Sequence, residues 1–424
     1  MHNIDGSLED FIRSIRQDII EVDRELDPVY EAASVIKRYD GVSPVIFRVK
    51  GYTWRFISHI ISKRSYLLSI LNAKSEETAY EKVIKTKEGK FNYLNFSNYF
   101  KQIETSIENL PALKFYKDDG GLYITSSIFV ACLNDNCNAS IHRMMVSGDR
   151  RYIAVRVVPR HLYKLMLEAR EGIPVAVIIG VDPVIELFSS LSPPFGVFEL
   201  KLAAGFLGEL NMCRTPTYNL PVPCGSSMVI EGILGPERAR EGPFTDLLNL
   251  YDAMREEPVL KIKSIYVNKR YEPLIHVILP GGIEHKLLMG FPREAQIYKN
   301  VKSVISTVRK VRLTPHSGMW LHAILSIEKQ HDGDGKTAAL AALSAHPSLK
   351  HVVVVDSDID PDNPGEVEWA IATRFQADKG LIIIPNARGS TLDPSSKDGL
   401  TWKVVVDATM PIKERNKYRK PTIG

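Results

Sequence analysis

Four consecutive valines, Val352–Val355, constrain the C-terminal part of this chain more than any other segment. An unbroken β-branched run suits a strand buried on both faces, and both faces must then be covered. The flanks supply the cover. A helical pattern over Thr337–Leu343 precedes the run, and a helix through Val367, Trp369 and Ala370 follows the strand-end segment Asp356-Ser357-Asp358-Ile359-Asp360. Continuous apolar strands separated by helices predict a parallel α/β sheet. The middle of the chain reads differently. Leu122–Thr125, Ile153–Val158, Val175–Gly180 and the stretches 227–234, 260–267 and 273–279 are strand-like, with Pro- and Gly-bearing turns between them. They predict a mixed or antiparallel sheet of barrel type. Pro159 opens a helix carrying Leu162, Leu165, Met166 and Ala169 on one face. Near the start, Ser7-Leu8-Glu9-Asp10 has the form of a cap, and Leu8, Phe11, Ile12, Ile15 and Ile19 follow at helical spacing. A Lys/Glu-rich helical stretch is expected around 76–90.

The chain has 424 residues, enough for two or three domains. Its 54 basic and 50 acidic residues leave a net charge of +4, so no large field is implied. The densest basic run, Lys413–Lys420, reads as a solvated terminus and not as a nucleic-acid site. No stretch approaches the ~20 apolar residues of a membrane span. The opening Met1-His2-Asn3-Ile4-Asp5 has no basic segment followed by an apolar core, so no signal peptide is expected. Cys132, Cys137, Cys213 and Cys224 fit no standard zinc spacing and are expected to be reduced thiols of a cytoplasmic protein.

Three groups of residues carry candidate chemistry. Asp332-Gly333-Asp334-Gly335-Lys336-Thr337 ends like a phosphate-binding loop, but the first glycine of that motif falls on Gln330, so a surface turn into a helix is expected. The run Asp356/Asp358/Asp360 suits a divalent metal, which seeds the reading of a metal-dependent phosphatase or transferase; alternatively its carboxylates cap a turn and bind an Arg of a partner subunit. The third group places an amide and a guanidinium in Asn138-Ala139-Ser140-Ile141-His142-Arg143, and two carboxylates in Glu241-Gly242-Pro243-Phe244-Thr245-Asp246. An Arg between two carboxylates holds charge in a closed pocket. Asn138 and Glu199 offer oxygen ligands and His161 an imidazole, a set suited to manganese or magnesium. Arg160 at a helix start suits a phosphate.

The order of these residues resembles the UbiD-type decarboxylases. The resemblance rests on Asn138-x-x-x-x-Arg143, Arg160-His161, Glu199 before Ala203-Ala204, Val229-Ile230-Glu231-Gly232 and Glu241-Gly242-Pro243-Phe244-x-Asp246. It continues through Val355-Asp356-x-Asp358-x-Asp360, Trp369-Ala370-x-Ala372-Thr373-Arg374, Leu392-Asp393-Pro394 and Lys403-x-x-x-Asp407-Ala408-Thr409. Leu8-x-x-Phe11-Ile12 and Gly180-Val181-Asp182-Pro183 are further landmarks. The resemblance implies a split β-barrel cofactor-binding domain followed by a C-terminal α/β oligomerisation domain, divided here as 1–115, 116–305 and 306–424. It implies reversible, non-oxidative decarboxylation of an α,β-unsaturated acid with prenylated FMN, supplied by a flavin prenyltransferase, together with Mn2+ (or Mg2+) and K+. The metal ligands would be Asn138, His161 and Glu199. Ile141, His142, Arg143, Arg156, Arg160, His161 and Lys403 would hold the cofactor. Asp246 would deliver the proton, with Arg143 and Glu241 completing the charge network. A homodimer or homohexamer is implied.

His142 stands where many members have Tyr, Ala204 replaces a usual Gly, and Thr245 replaces the Gly before the last acid. These departures and the compact chain look like the archaeal branch that acts on trans-anhydromevalonate 5-phosphate, more than like enzymes of aromatic or acrylic acids such as a 4-hydroxybenzoate derivative. A flavin-binding assembly protein without catalysis is disfavoured by the joint presence of Arg143, Glu241 and Asp246.

Overall fold

The computed structural model describes residues 3–421, so Met1 and His2 of the opening segment lie outside the described residues. The chain divides into two compact units, one of Met1–Ile70 with Thr86–Leu288, the other of Leu71–Lys85 with Met289–Gly424.

The first unit is built on a nine-stranded antiparallel sheet. Its path runs Gly121–Ile124, Met144–Ser147, Ile153–Val155, Arg255–Asn268, Met228–Glu241, Ile173–Ile179, Ile128–Leu133 and Asn136–Ile141, with Phe100–Ile103 also paired to Arg255–Asn268. This is the barrel-type sheet expected from the sequence, left open between its first and last strands. Two 14-residue strands, Met228–Glu241 and Arg255–Asn268, form its spine. Val175, Ala176, Val177, Ile178 and Ile179 are all fully buried, so both faces of the central strand Ile173–Ile179 are covered. A four-stranded sheet (Ile20–Leu26, Val45–Val49, Arg55–Ser58, Leu274–His276) packs its Val45, Phe47, Val49 and Phe56 into the same core.

The second unit holds a five-stranded sheet in the order Val308–Leu313, His322–Ile327, His351–Asp356, Leu400–Ala408 and Leu381–Arg388. Its three inner strands are parallel, as the valine run predicts, and both edge strands pair antiparallel. Helices Asp334–Ala345 and Pro364–Arg374 stand on either side of His351–Asp356 in sequence.

Four expectations need correction. The N-terminal apolar spacing ends its helix at Ser14 instead of continuing to Ile19, because Ile20 is captured by parallel pairing with Val45. That helix is preceded by Leu8 with no side-chain cap, while the Ser7 hydroxyl accepts from Asn3 Nδ2 at 3.3 Å. The cysteines are not reduced thiols: Cys132–Cys137 and Cys213–Cys224 are disulfides, and among the described residues none is free. Hairpins explain the pairing. Cys132 and Cys137 are direct cross-strand partners with Cα atoms 4.1 Å apart, a proximity that zinc-motif spacing does not test.

The aspartate run is not a metal centre. Arg374 Nη1 donates to Asp356 Oδ2 at 2.9 Å and to Asp358 Oδ1 at 2.8 Å, and Lys310 reaches Asp360 at 2.9 Å. The expected Arg therefore comes from the same chain and takes Asp356 and Asp358, while Asp360 is spent on Lys310. Among the described residues no group of three or more His, Cys, Asp or Glu is arranged to hold a metal ion. The loop before Thr337 is the expected turn into a helix, closed on itself by Asp334 Oδ2, which accepts from the backbone N–H of Gln330 and His331.

Candidate active site

Asn136–Ile141 is the outermost strand of the large sheet, and its register sets Asn138 opposite Ala131. Side chains alternate along a strand, so Asn138 and Ser140 share a face. Asn138 Nδ2 donates to Glu199 Oε1 at 2.9 Å, and the Ala139 N–H donates to Glu199 Oε2 at 2.8 Å. Glu199 opens the helix Glu199–Leu207 and is 1% exposed. Burial pushes its carboxyl up to about 7, against the opposing pull of the Ala139 N–H, its own N–H and Asn138. His161 opens the helix His161–Ala169, with Nδ1 3.8 Å from Glu199 Oε1. Desolvation, then Arg160 and Lys164, hold its imidazole below its ordinary pKa. Thus the three residues named as metal ligands converge. Their donors are an amide oxygen, a carboxylate and a neutral imidazole, and a buried carboxylate short of positive charge is what a divalent cation would satisfy. The set fits such an ion.

His142 is tied to this group through Ser140. Its Nδ1 lies 2.9 Å from the Arg156 carbonyl oxygen and its Nε2 2.8 Å from Ser140 Oγ, which is itself 2.8 Å from Asn138 Oδ1. Its ring stands edge-on to Phe129, with centroids 5.5 Å apart. Burial first, despite the Arg156 carbonyl, pushes the imidazole down to about 4, so it is neutral near pH 7.

Arg143 gathers the second group. Its Nε and Nη2 donate to the two oxygens of Glu241 at 2.9 and 3.0 Å, and Nη1 donates to Asp246 Oδ2 at 3.1 Å. The two segments that carry the guanidinium and the carboxylates are therefore brought together. Glu241 is fully buried and also accepts from the Tyr123 hydroxyl at 3.2 Å. The Phe244 ring lies 4.3 Å from the guanidinium carbon. Burial disfavours the charged Arg143, but the carboxylates outweigh it and raise its pKa, Glu241 most of all.

One member of this network, Asp252, and one group within its electrostatic reach, His285, escaped the sequence reading. Asp252 Oδ2 accepts from Arg143 Nη2 at 3.1 Å and from Arg255 at 2.6 Å. It is brought there by a two-residue ladder in which Phe244 faces Asp252, so the available signal was the short return of the chain after Asp246. Burial would raise the Asp252 carboxyl, but Arg255 and then Arg143 hold it below its usual range. The second is His285, near the start of the helix Ile283–Val304. Gly281 has φ +70°, and a Cβ there would lie 2.1 Å from Asn249 Oδ1 and 3.1 Å from the Asp246 carbonyl oxygen, so only glycine fits. The Gly281 N–H donates to His285 Nδ1 at 3.1 Å, which leaves the proton of a neutral ring on Nε2. Desolvation lowers the His285 pKa, and the charge of Asp246 opposes that.

The remaining named residues are distributed around these groups. Ile141 ends the strand and pairs with Ile128. Arg156 offers its carbonyl to His142 and its guanidinium to Glu257. Arg160 precedes the helix of His161, has no carboxylate partner among the described residues, and reaches Ser192 Oγ at 3.3 Å. Lys403 lies in the other unit, where its buried ammonium donates to the carbonyl oxygens of Pro347, at 2.6 Å, and Leu349.

Comparison with known proteins identifies the relatives of this chain. Residues 90–283 match the 3-octaprenyl-4-hydroxybenzoate carboxy-lyase Rift-related domain, and 286–408 match the C-terminal domain of the same enzymes. A protein of Aeropyrum pernix named anhydromevalonate phosphate decarboxylase is 45% identical, over 99% of this chain and 96% of its own length. The structure of the UbiD-class enzyme HmfF from Pelotomaculum thermopropionicum in complex with FMN superimposes with a TM-score of 0.93 at 32% identity, covering 98% of this chain and 97% of that one. An evolved dimeric form of HmfF with prFMN gives 0.88 at 29% identity, over 99% and 97%. Likeness of this extent defines a carboxy-lyase. The chain belongs to the UbiD family of decarboxylases, which it matches through both domains.

Proposed function

We propose that this enzyme decarboxylates trans-anhydromevalonate 5-phosphate to isopentenyl phosphate and carbon dioxide. The observation that carries the reading is Arg143 held by Glu241, Asp246 and Asp252 in one buried network. Decarboxylation breaks the bond from carbon to carboxylate and puts a proton on that carbon, so a site must bind an anion, exclude water and return one proton. Arg143 binds and orients; Glu241, fully buried, fixes the guanidinium; Asp246, with a side chain 19% exposed, is the acid with access to a substrate carbon. The substrate assignment follows the name of the Aeropyrum pernix relative.

The cofactor of this reading is prenylated FMN, made by a separate flavin prenyltransferase, and it would supply the sink for the electron pair left on carbon when carbon dioxide departs. Support comes from the FMN and prFMN of the two HmfF structures. Asn138, His161 and Glu199 would hold Mn2+ or Mg2+, with K+ as a companion ion. Arg160 and the uncapped start of the helix His161–Ala169 would hold the phosphate, with Ile141, His142, Arg143 and Arg156 around the ring system. Assembly with further copies would use the second unit, where Leu381, Ile383, Leu400 and Trp402 are 39, 50, 47 and 59% exposed on the paired strands Leu381–Arg388 and Leu400–Ala408.

The test is expression with a flavin prenyltransferase and measurement of carbon dioxide release from anhydromevalonate phosphate and from a cinnamate-like acid. Turnover of the first alone is expected, and Asp246→Asn should abolish it. Turnover of the cinnamate-like acid alone would overturn the substrate assignment.

A further inference from the structure

His142 has no role in the charge network, yet it is buried and makes two hydrogen bonds that determine where a third proton goes. We infer that His142 is a positioning residue: its Nδ1–H tautomer draws the Ser140 hydroxyl proton to Nε2 and so leaves Asn138 Oδ1 free to ligate a divalent cation. This deepens the functional reading above and rests on its metal site.

The Arg156 carbonyl oxygen only accepts, so the nitrogen 2.9 Å from it, Nδ1, carries the hydrogen. A neutral imidazole has one such hydrogen, and Nε2 is then an acceptor. The donor in reach of Nε2 is Ser140 Oγ at 2.8 Å. Ser140 has a single hydroxyl proton and two acceptors at the same 2.8 Å, His142 Nε2 and Asn138 Oδ1. Giving it to the imidazole leaves only oxygen lone pairs facing each other at Ser140 Oγ and Asn138 Oδ1, an arrangement that a cation stabilises and that is otherwise repulsive. The amide is meanwhile fixed the right way round, because its Nδ2 is committed to Glu199 Oε1 at 2.9 Å. With a side chain at 142 that accepts nothing, the hydroxyl turns to Asn138 Oδ1 and competes with the metal for it.

The test titrates Mn2+ into the FMN-reconstituted protein and follows free Mn2+ by electron paramagnetic resonance. His142→Phe is expected to weaken binding ~10- to 100-fold, the usual range for a residue that orients a ligand. Removing the competing hydroxyl should cure the defect, so Ser140→Ala in the His142→Phe background should recover affinity to within about threefold of wild type, while Ser140→Ala alone changes little. A merely structural role for His142 predicts no such rescue. Equal affinity in His142→Phe, or a double variant as weak as the single one, overturns the inference. If His142→Phe does not fold, histidine-labelled 15N spectra of the wild-type protein decide: a bare Nε2 with protonated Nδ1 supports the inference, and the opposite tautomer overturns it. If wild type holds no Mn2+ that Glu199→Gln removes, the metal part of the functional reading fails, whereas the tautomer measurement still judges His142.

Discussion

Glu199→Gln isolates the electrostatic cost of burying the Glu199 carboxylate. The Glu199 carboxyl is 1% exposed, and burial lifts it from its ordinary 4.5 to about 7. A carboxyl whose pKa is raised by folding holds its proton more tightly in the native state than in the unfolded chain. Stability from this site is therefore fully present below about pH 4.5 and is lost as pH rises toward 7, where both states are ionised. At 1.36 kcal/mol per pH unit the whole effect is about 3.4 kcal/mol, of which about 2.5 kcal/mol falls between pH 5 and pH 8. The glutamine keeps the shape but has one acceptor where two N–H groups point, a pH-independent loss of about 1–3 kcal/mol. The variant should therefore be the weaker protein at pH 5 and should gain about 2.5 kcal/mol on wild type by pH 8. Urea unfolding of both proteins after EDTA treatment, at the two pH values, measures this gap. A gap that does not change with pH would refute the claim that Glu199 is a buried, uncompensated carboxylate. Added Mn2+ should stabilise wild type at pH 8 and leave the variant unmoved.

Other consequences are separately checkable. Asp252→Asn removes the negative charge shared by Arg143 and Arg255 and leaves one oxygen to accept, so it should cost about 1–3 kcal/mol in unfolding free energy and lower kcat more than it raises KM; unchanged kinetics would show that Asp252 does not hold the guanidinium. Replacing both Cys213 and Cys224 by Ala opens an 11-residue separation and should cost about 3 kcal/mol by loop entropy. A thiol titration of the unfolded, unreduced protein should find no free thiols, and four per chain would contradict both bridges. Substituting Glu for Trp402 and Lys for Ile383 together places charge on the exposed apolar face of the second unit; light scattering should then report a smaller assembly than wild type, and an unchanged mass would put the contact elsewhere.

The valine run announced its parallel sheet because continuous β-branched residues have few other folded solutions, and the acid–Arg–acid site was legible because its polar residues cluster in two short segments. What escaped depends on pairing between distant positions. Asp252 is an ordinary exposed-looking aspartate in sequence, and only the ladder to Phe244 carries it to Arg143. His285 is defined by a turn at Gly281, four residues away, whose reason is the crowding by Asn249 and Asp246. The cysteines failed for the same cause: spacing along the chain excluded zinc, but cross-strand register set Cys132 against Cys137, and the return of the chain after Arg214 brought Cys224 back to Cys213. Lys403 shows the converse, a lysine that matched a pattern and whose ammonium the fold commits to two carbonyls.

The Cys132–Cys137 bridge gives the outermost strand a fixed parity. Asn138 and Ser140 lie on one face, Ala139 and Ile141 on the other, and a shift of one residue exchanges the faces. An edge strand is held on one side only and is the strand most able to make that shift. The covalent bond joins register partners immediately before Asn138, so the count of residues from bond to amide is odd and cannot drift. A single-residue insertion between Cys137 and Asn138 would therefore turn the amide away from Glu199 while leaving every residue type in place, whereas a two-residue insertion would restore the facing. In this strand evenness and oddness decide which side chain meets Glu199, and a covalent bond holds that parity.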